Sequence, residues 1–268
     1  MSDDRPVYEN IPVGIGELFT LRVDSFVAFP GLTVIPHYHL MFEVMWFRRA
    51  AGAFTLQSEK FTLRDNTLVF VPALVTHDMQ LNAGHDHLRY LLQFEAGWLD
   101  ALGIPASQEL AAYSLAATLD EKEADRVESL FAWCAERRQL HDNQDPLFRA
   151  LLKTLLIDVF NRIHDTPRVP ERNADHHVDR LLTFLHTLDR EKNYTITTEA
   201  AALACHCSPS WFARTFKLHF GMSFKAFILI RKINFAVRLL TTTDLRIVDI
   251  AQQSGFTDSA CFCLPDYP

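Results

Sequence analysis

Long apolar runs are missing from this 268-residue sequence, which excludes a membrane-spanning helix of about 20 residues. Cysteine is scarce and odd in number. Cys134, Cys205, Cys207, Cys261 and Cys263 lie mostly within helical patterns and give no basis for a disulfide framework. Cys205 and Cys207 flank His206, but the spacing is that of no zinc finger, so ordinary packing is the reading kept. The opening Met1-Ser2-Asp3-Asp4 is acidic, unlike a secretory signal, and a reducing cytoplasm is the expected location. A basic excess is lacking too. The net charge of −7, read over the whole chain, argues against nucleic-acid binding.

What is present changes that reading. A hydrophobic content of 49% with mixed charge gives a globular chain enough apolar surface for a core, in one large domain or two ordinary ones. The charge is split. Residues 1–175 carry 16 Lys and Arg against 25 Asp and Glu, a balance of −9, whereas residues 176–268 carry 10 against 8, a balance of +2. That sign change suits a two-part protein whose second part meets an anionic partner weakly and in a salt-sensitive way. Between the parts, residues 165–175 (DTPRVPERNAD) hold two prolines and several charges without apolar periodicity, and they read as a linker.

Residues 1–97 carry short runs of β-branched and aromatic residues separated by turn residues. Strands are predicted at 18–29, 32–36, 43–47, 52–56, 60–63, 67–71 and 87–94, a series that closes into a barrel or sandwich. His37, His39 and Glu43 fall at alternate positions and are expected on one side of the sheet, with His77 arriving from a second segment after Pro72. Three imidazoles and a carboxylate suit Zn, Fe, Mn or Ni, or line a polar pocket without an ion. Phe29, Phe42, Trp46, Phe54, Phe70 and Phe94 are expected to make that pocket partly aromatic, or to be plain core. Residues 98–164 switch to helical period, with an acidic start at Asp120–Glu123 and a second apolar stripe from Leu147 to His164.

The stretch 197–258 organises residues 176–268. Thr197 opens a capped helix rich in alanine, and His206-Cys207 breaks it. Ser208 and Pro209 then restart a helix as N-cap and first position. Phe212, Phe216 and Phe220 recur every four residues as the buried stripe, Ser210, Ala213, Arg214 and Lys217 stay outside, and Gly221 stops the helix. A long helix with Arg231, Lys232 and Arg238 follows. A short helix then ends near Gln253, capped by Asp244 or a neighbouring threonine, and Gly255 makes the next turn. Two packed helices of this kind let the second reach base edges in a major groove. Arg214 is suited to a two-pronged guanine contact and Lys217 to a phosphate.

The order of SPSWFARTFKLHFGMSF, AVRLLTTTDLRIVDIA and SGFTDSACF resembles the DNA-binding domain of the AraC/XylS transcription regulators, from near Val178 to Phe262. The segments around His37–Glu43 and His77 resemble the two motifs of the cupin barrel, with Arg64-Asp65-Asn66 where the second motif has its glycine. The resemblance implies an α+β chain: a cupin-like barrel with a helical segment, then an all-α domain with tandem helix-turn-helix units. It implies double-stranded DNA as partner through Ser210, Ala213, Arg214, Lys217 and, in the second unit, Ser259. It also implies a small-molecule effector at His37, His39, Glu43 and His77, no cofactor and no catalysis, dimerisation through 98–164, and RNA polymerase as a further partner. Two departures stand out. Ala213 has no polar group where the family often has one. Pro265 would interrupt the second reading helix soon after its start, so that unit is expected to be incomplete. A metal-dependent cupin enzyme, and a regulator that senses without reading DNA, are the alternatives.

Overall fold

Strands follow the β-branched and aromatic runs of the first half. They are β1 (Val7–Tyr8), β2 (Phe19–Phe26), β3 (Leu32–Tyr38), β4 (Phe42–Arg49), β5 (Gly52–Leu56), β6 (Glu59–Leu63), β7 (Thr67–Val71), β8 (His77–Leu81), β9 (His87–Phe94) and β10 (Leu115–Thr118). Helices are α1 (Ala96–Ala101), α2 (Glu121–Leu140), α3 (Pro146–His164), α4 (His176–Glu191), α5 (Thr198–Ala204), α6 (Pro209–Phe220), α7 (Phe224–Thr242) and α8 (Ile247–Gln253). This computed structural model describes residues 6–11, 13, 17–104, 114–140, 145–164 and 176–256. The chain divides into two units, residues 1–12 with 18–172, and residues 13–17 with 173–268.

The first unit holds two five-stranded sheets, ordered β1-β3-β8-β5-β6 and β10-β7-β4-β9-β2. Its pairings are antiparallel except for β1 along β3. The centre of the second sheet explains why β4 shows no polar alternation. Met45 and Phe47 share one core with Phe54, Leu56 and Met79 of the other sheet. Val44 and Trp46, on the opposite face, join a second core with Phe131, Phe148 and Leu155 of α2 and α3. Where both faces are covered, from Val44 to Phe47, the strand is apolar throughout. Asp120 and Glu123 form a reciprocal cap at the start of α2, the Glu123 N–H donating to Asp120 Oδ1 at 2.9 Å.

Three strands differ from the sequence reading. Leu115–Thr118 pairs with β7 inside the stretch expected to be wholly helical. Val7–Tyr8 and His77–Leu81 also add strands, each made by its partner rather than by its own pattern. Asn66 takes over from the missing glycine by adopting φ +63, a left-handed conformation that asparagine tolerates. Its side chain accepts from Arg48 and donates to Glu121. Gly52 has φ +156, and a Cβ there would lie 2.0 Å from the Gln80 carbonyl oxygen. Gly52→Ala should therefore cost about 2–3 kcal/mol through backbone displacement of β5 from β8, read as a lowered midpoint in urea unfolding. An unchanged midpoint would contradict this packing.

In the second unit, Ser208 caps α6 by accepting from the Trp211 N–H, Pro209 sits in the first turn, and Gly221 ends the helix at φ +68. Thr197 caps α5 and Ser223 caps α7 in the same way. The expected cap of α8 is corrected. Arg246 occupies the N-cap without a side-chain capping hydrogen bond, and pairs with Asp249 instead. Among the described residues no helix is long and apolar enough to cross a membrane. Ser259, the linker 165–175, Cys261, Cys263 and Pro265 lie outside the described residues.

Candidate functional site

The first unit gathers His37, His39 and His77, all buried, with their ring nitrogens within 4.8 Å of one another. They do not alternate along one strand, as expected from sequence. His37 is the last residue but one of β3, His39 lies in the turn, and Glu43 stands in β4, so a reversal of the chain brings them together. Each Nδ1–H donates to a backbone carbonyl two residues away: His37 to Ile35 at 2.9 Å, His39 to Met41 at 2.8 Å and His77 to Val75 at 2.9 Å. That fixes the rings and turns the Nε2 atoms toward one another. Leu74, at φ +65, donates its N–H to the His39 carbonyl at 2.7 Å and ties the two histidine segments together.

The three Nε2 atoms differ in what they meet. His39 Nε2 donates to Glu43 Oε2 at 2.8 Å, and Gln93 Nε2 donates to the same oxygen at 2.8 Å. Burial opposes charge on both His39 and Glu43, but their mutual hydrogen bond and attraction outweigh it. The imidazole is raised and the carboxyl is held well below the usual carboxylate range. His37 Nε2 lies 3.2 Å from Glu9 Oε2. His77 Nε2 is buried without a hydrogen-bond partner. Burial pushes its imidazole down from 6.5 to about 4, so at neutral pH that atom is a bare lone pair.

The sign of the pH effect follows. His77 is neutral when folded and takes a proton near 6.5 when unfolded, so its contribution is complete above pH 6.5. It is lost as pH falls toward 4. The metal-free first unit should lose about 3 kcal/mol over that window, and His77→Asn should flatten the profile of melting temperature against pH. A wild-type profile already flat between pH 6.5 and 4 would contradict the assignment.

A cavity of about 230 Å³ opens beside this cluster, lined by His37, Glu43 and His77 at one end. The expected aromatic lining is corrected. Phe42, Trp46, Phe70 and Phe94 pack toward the helices, while Phe29 and Phe54 fill the core between the sheets. The apolar wall is aliphatic instead: Ile11, Leu32, Val34, Met79 and Leu91. Sequence reasoning missed Glu9, Arg22, Arg89 and Gln93, which also line it. A signal existed, because Thr20, Arg22 and Asp24 fall at every second position of β2, and His87, Arg89 and Gln93 share one face of β9 with Leu91.

In the second unit, α5 and α6 form a helix pair joined at Cys205–Ser208, with His206 at φ +54. Phe212, Phe216 and Phe220 are buried and meet Phe224 and Phe227 of α7. Ser210, Ala213, Arg214 and Lys217 lie together on the exposed face of α6. Arg214 Nε donates back to the Ser210 carbonyl at 3.3 Å, so its guanidinium must swing outward to reach a base. Three of the four basic residues of α7 turn out to serve the fold. Arg231 is buried against the Phe227 ring, Lys232 Nζ donates to the Gly255 carbonyl, and Arg238 sits 4.7 Å from the Phe235 ring centre.

Residues 201–263 match a helix-turn-helix domain family. A comparison with curated proteins finds no match. Among solved structures, the chain is similar to ToxT from Vibrio cholerae bound to an unsaturated fatty acid, at 11% identity, 91% coverage of this chain, 89% of that chain and TM-score 0.45. It is similar to the AraC-like transcriptional activator CuxR at 14% identity, 84% and 82% coverage and TM-score 0.47. A shorter likeness, to a mutant of Bacillus subtilis oxalate decarboxylase OxdC, has 14% identity, spans 34% of this chain and 30% of that one, and has TM-score 0.24.

Proposed function

We propose that the chain, whose residues 201–263 match a helix-turn-helix domain family, is a DNA-binding transcription regulator of AraC type that responds to a small molecule held in the first unit. The observation that carries the proposal is the cavity walled at one end by His37, Glu43 and His77, beside which the His77 Nε2 lone pair is buried without a partner. A buried acceptor left unmade costs about 1–3 kcal/mol, and a ligand donor placed there recovers it. Effector binding at His37, His39, Glu43 and His77 then biases how the reading helix α6 meets DNA, a coupling between two sites. DNA reading falls to Ser210, Arg214 and Lys217, with Ala213 offering only apolar contact. Ser259 would serve the second unit.

A second reading of the same pocket has its own support. Three converging imidazoles, each anchored through Nδ1–H, with the Glu43 carboxylate bonded to His39 beside them, fit Zn, Fe, Mn or Ni by donor type. Bound there, a metal would supply Lewis acidity. The chain's own part is to hold the imidazoles and to surrender the His39 proton, so binding weakens as pH falls. A metal-dependent enzyme would need the same four residues. Titration of the full chain with Zn²⁺, followed by calorimetry, separates the readings. Uptake of one ion lost in His77→Ala supports the metal. Small-molecule binding that persists in chelator supports an organic effector. Neither outcome at any concentration would contradict the sensing role.

A homodimer fits the exposed Trp133 and Leu140 of α2 and Ile157 of α3, in the stretch 98–164. RNA polymerase as a partner and a cytoplasmic location belong to the same reading.

A further inference from the structure

Resting on the sensing reading, we infer that the cavity takes a small organic acid whose far end carries a hydroxyl or amine donor. The acid end is set by Arg89. Its side chain is buried, its Nε and Nη2 donate to Asp24 Oδ2 at 3.0 and 2.6 Å, and both bonds hold the guanidinium fixed. The remaining nitrogen, Nη1, has only the Met79 sulfur at 3.6 Å, a weak acceptor, and Arg89 and Met79 both line the cavity. Arg22 reaches Asp24 as well, at 3.2 Å, and lines the same wall. Two guanidiniums share one carboxylate, which leaves a single positive charge for an incoming oxyanion.

The opposite end has the reverse character. His77 Nε2 is an acceptor without a donor, and the Glu9 carboxylate stands beside His37. Arg89 and Gln93 are four residues apart on β9, about 13 Å along the strand, with Gln93 bonded to the Glu43 of the histidine end. Between the ends lie Val34, Met79 and Leu91. A dry cavity of about 150 Å³ accepts a benzene ring. At about 230 Å³ this one accepts a body of similar carbon number with a polar group at each end.

Calorimetry on the full chain with ω-hydroxy monocarboxylates of four to eight carbons, each beside its α,ω-diol and its plain monocarboxylate, tests the inference. The hydroxy acid should bind at least about tenfold more tightly than the diol, the scale of one charged hydrogen bond. Arg89→Lys should remove most of that advantage. Arg22→Gln, at an exposed position that folding tolerates, should reduce the advantage in part. Diols binding as tightly as the acids would overturn the acid class and leave the sensing pocket standing. So would an acid advantage that survives both substitutions. Binding by no member of the series would overturn the acid class, while the sensing reading falls only if the Zn²⁺ and small-molecule titrations fail as well.

Discussion

Phe216→Ala should unfold the second unit. Phe216 is fully buried and touches Phe212 and Phe220 on its own helix and Phe224 and Phe227 on α7, with ring centres 4.4 to 5.7 Å away. Emptying such a site costs about 3–5 kcal/mol, because the lost burial and the cavity left behind act together. A unit of this size has about 5–15 kcal/mol in all, and its helices are too short to persist without packing. Circular dichroism of the wild type and the variant should therefore differ in helix content at 37 °C, with the variant's melting midpoint lowered by at least about 10 °C. Phe216→Leu, which keeps most of the volume, should recover much of the loss. Equal melting of wild type and Phe216→Ala would mean that the aromatic cluster does not hold α6 against α7.

Arg214→Ala should leave the fold intact and weaken binding to a preferred duplex by about 10- to 100-fold, relaxing the preference at one base position. The side chain is exposed and makes only one weak bond, to the Ser210 carbonyl, so folding loses little. A guanidinium set two-pronged on a guanine contributes about 1–3 kcal/mol of discrimination. Lys217→Ala should act differently, weakening all duplexes alike and lowering the salt dependence by about one phosphate contact. Because Arg231, Lys232 and Arg238 are engaged within the second unit, few cations are left to bind DNA without regard to sequence. Affinity for non-specific DNA should accordingly be low.

Much of the second unit was legible in the sequence because its signals are local. Ser208 and Pro209 start a helix, Gly221 ends it, and the period-four phenylalanines name its buried face, all without reference to distant residues. The cap of α8 was misread because Arg246 competes with Asp244 by pairing with Asp249, a choice that residue type alone does not rank. The first unit was legible where strands carry their own pattern and opaque where pairing makes the strand. β10 is read as helix from LAAT and becomes a strand only beside β7. The histidines were found as a group, but their convergence through a turn, and the turning of Phe42, Trp46, Phe70 and Phe94 toward α2 and α3, depend on both faces of one sheet being covered. Arg89 and Asp24 were missed for the same reason. They are 65 residues apart, and only the register of β2 with β9 sets them opposite each other.

The most direct test is selection of duplexes from a randomised library by the full chain, at low and at physiological salt, with Arg214→Ala beside it. One sequence should be enriched at both salts, with Arg214→Ala still binding but accepting other bases at one position. No enrichment at either salt, or an enriched sequence that Arg214→Ala selects just as strictly, would contradict DNA reading by the exposed face of α6.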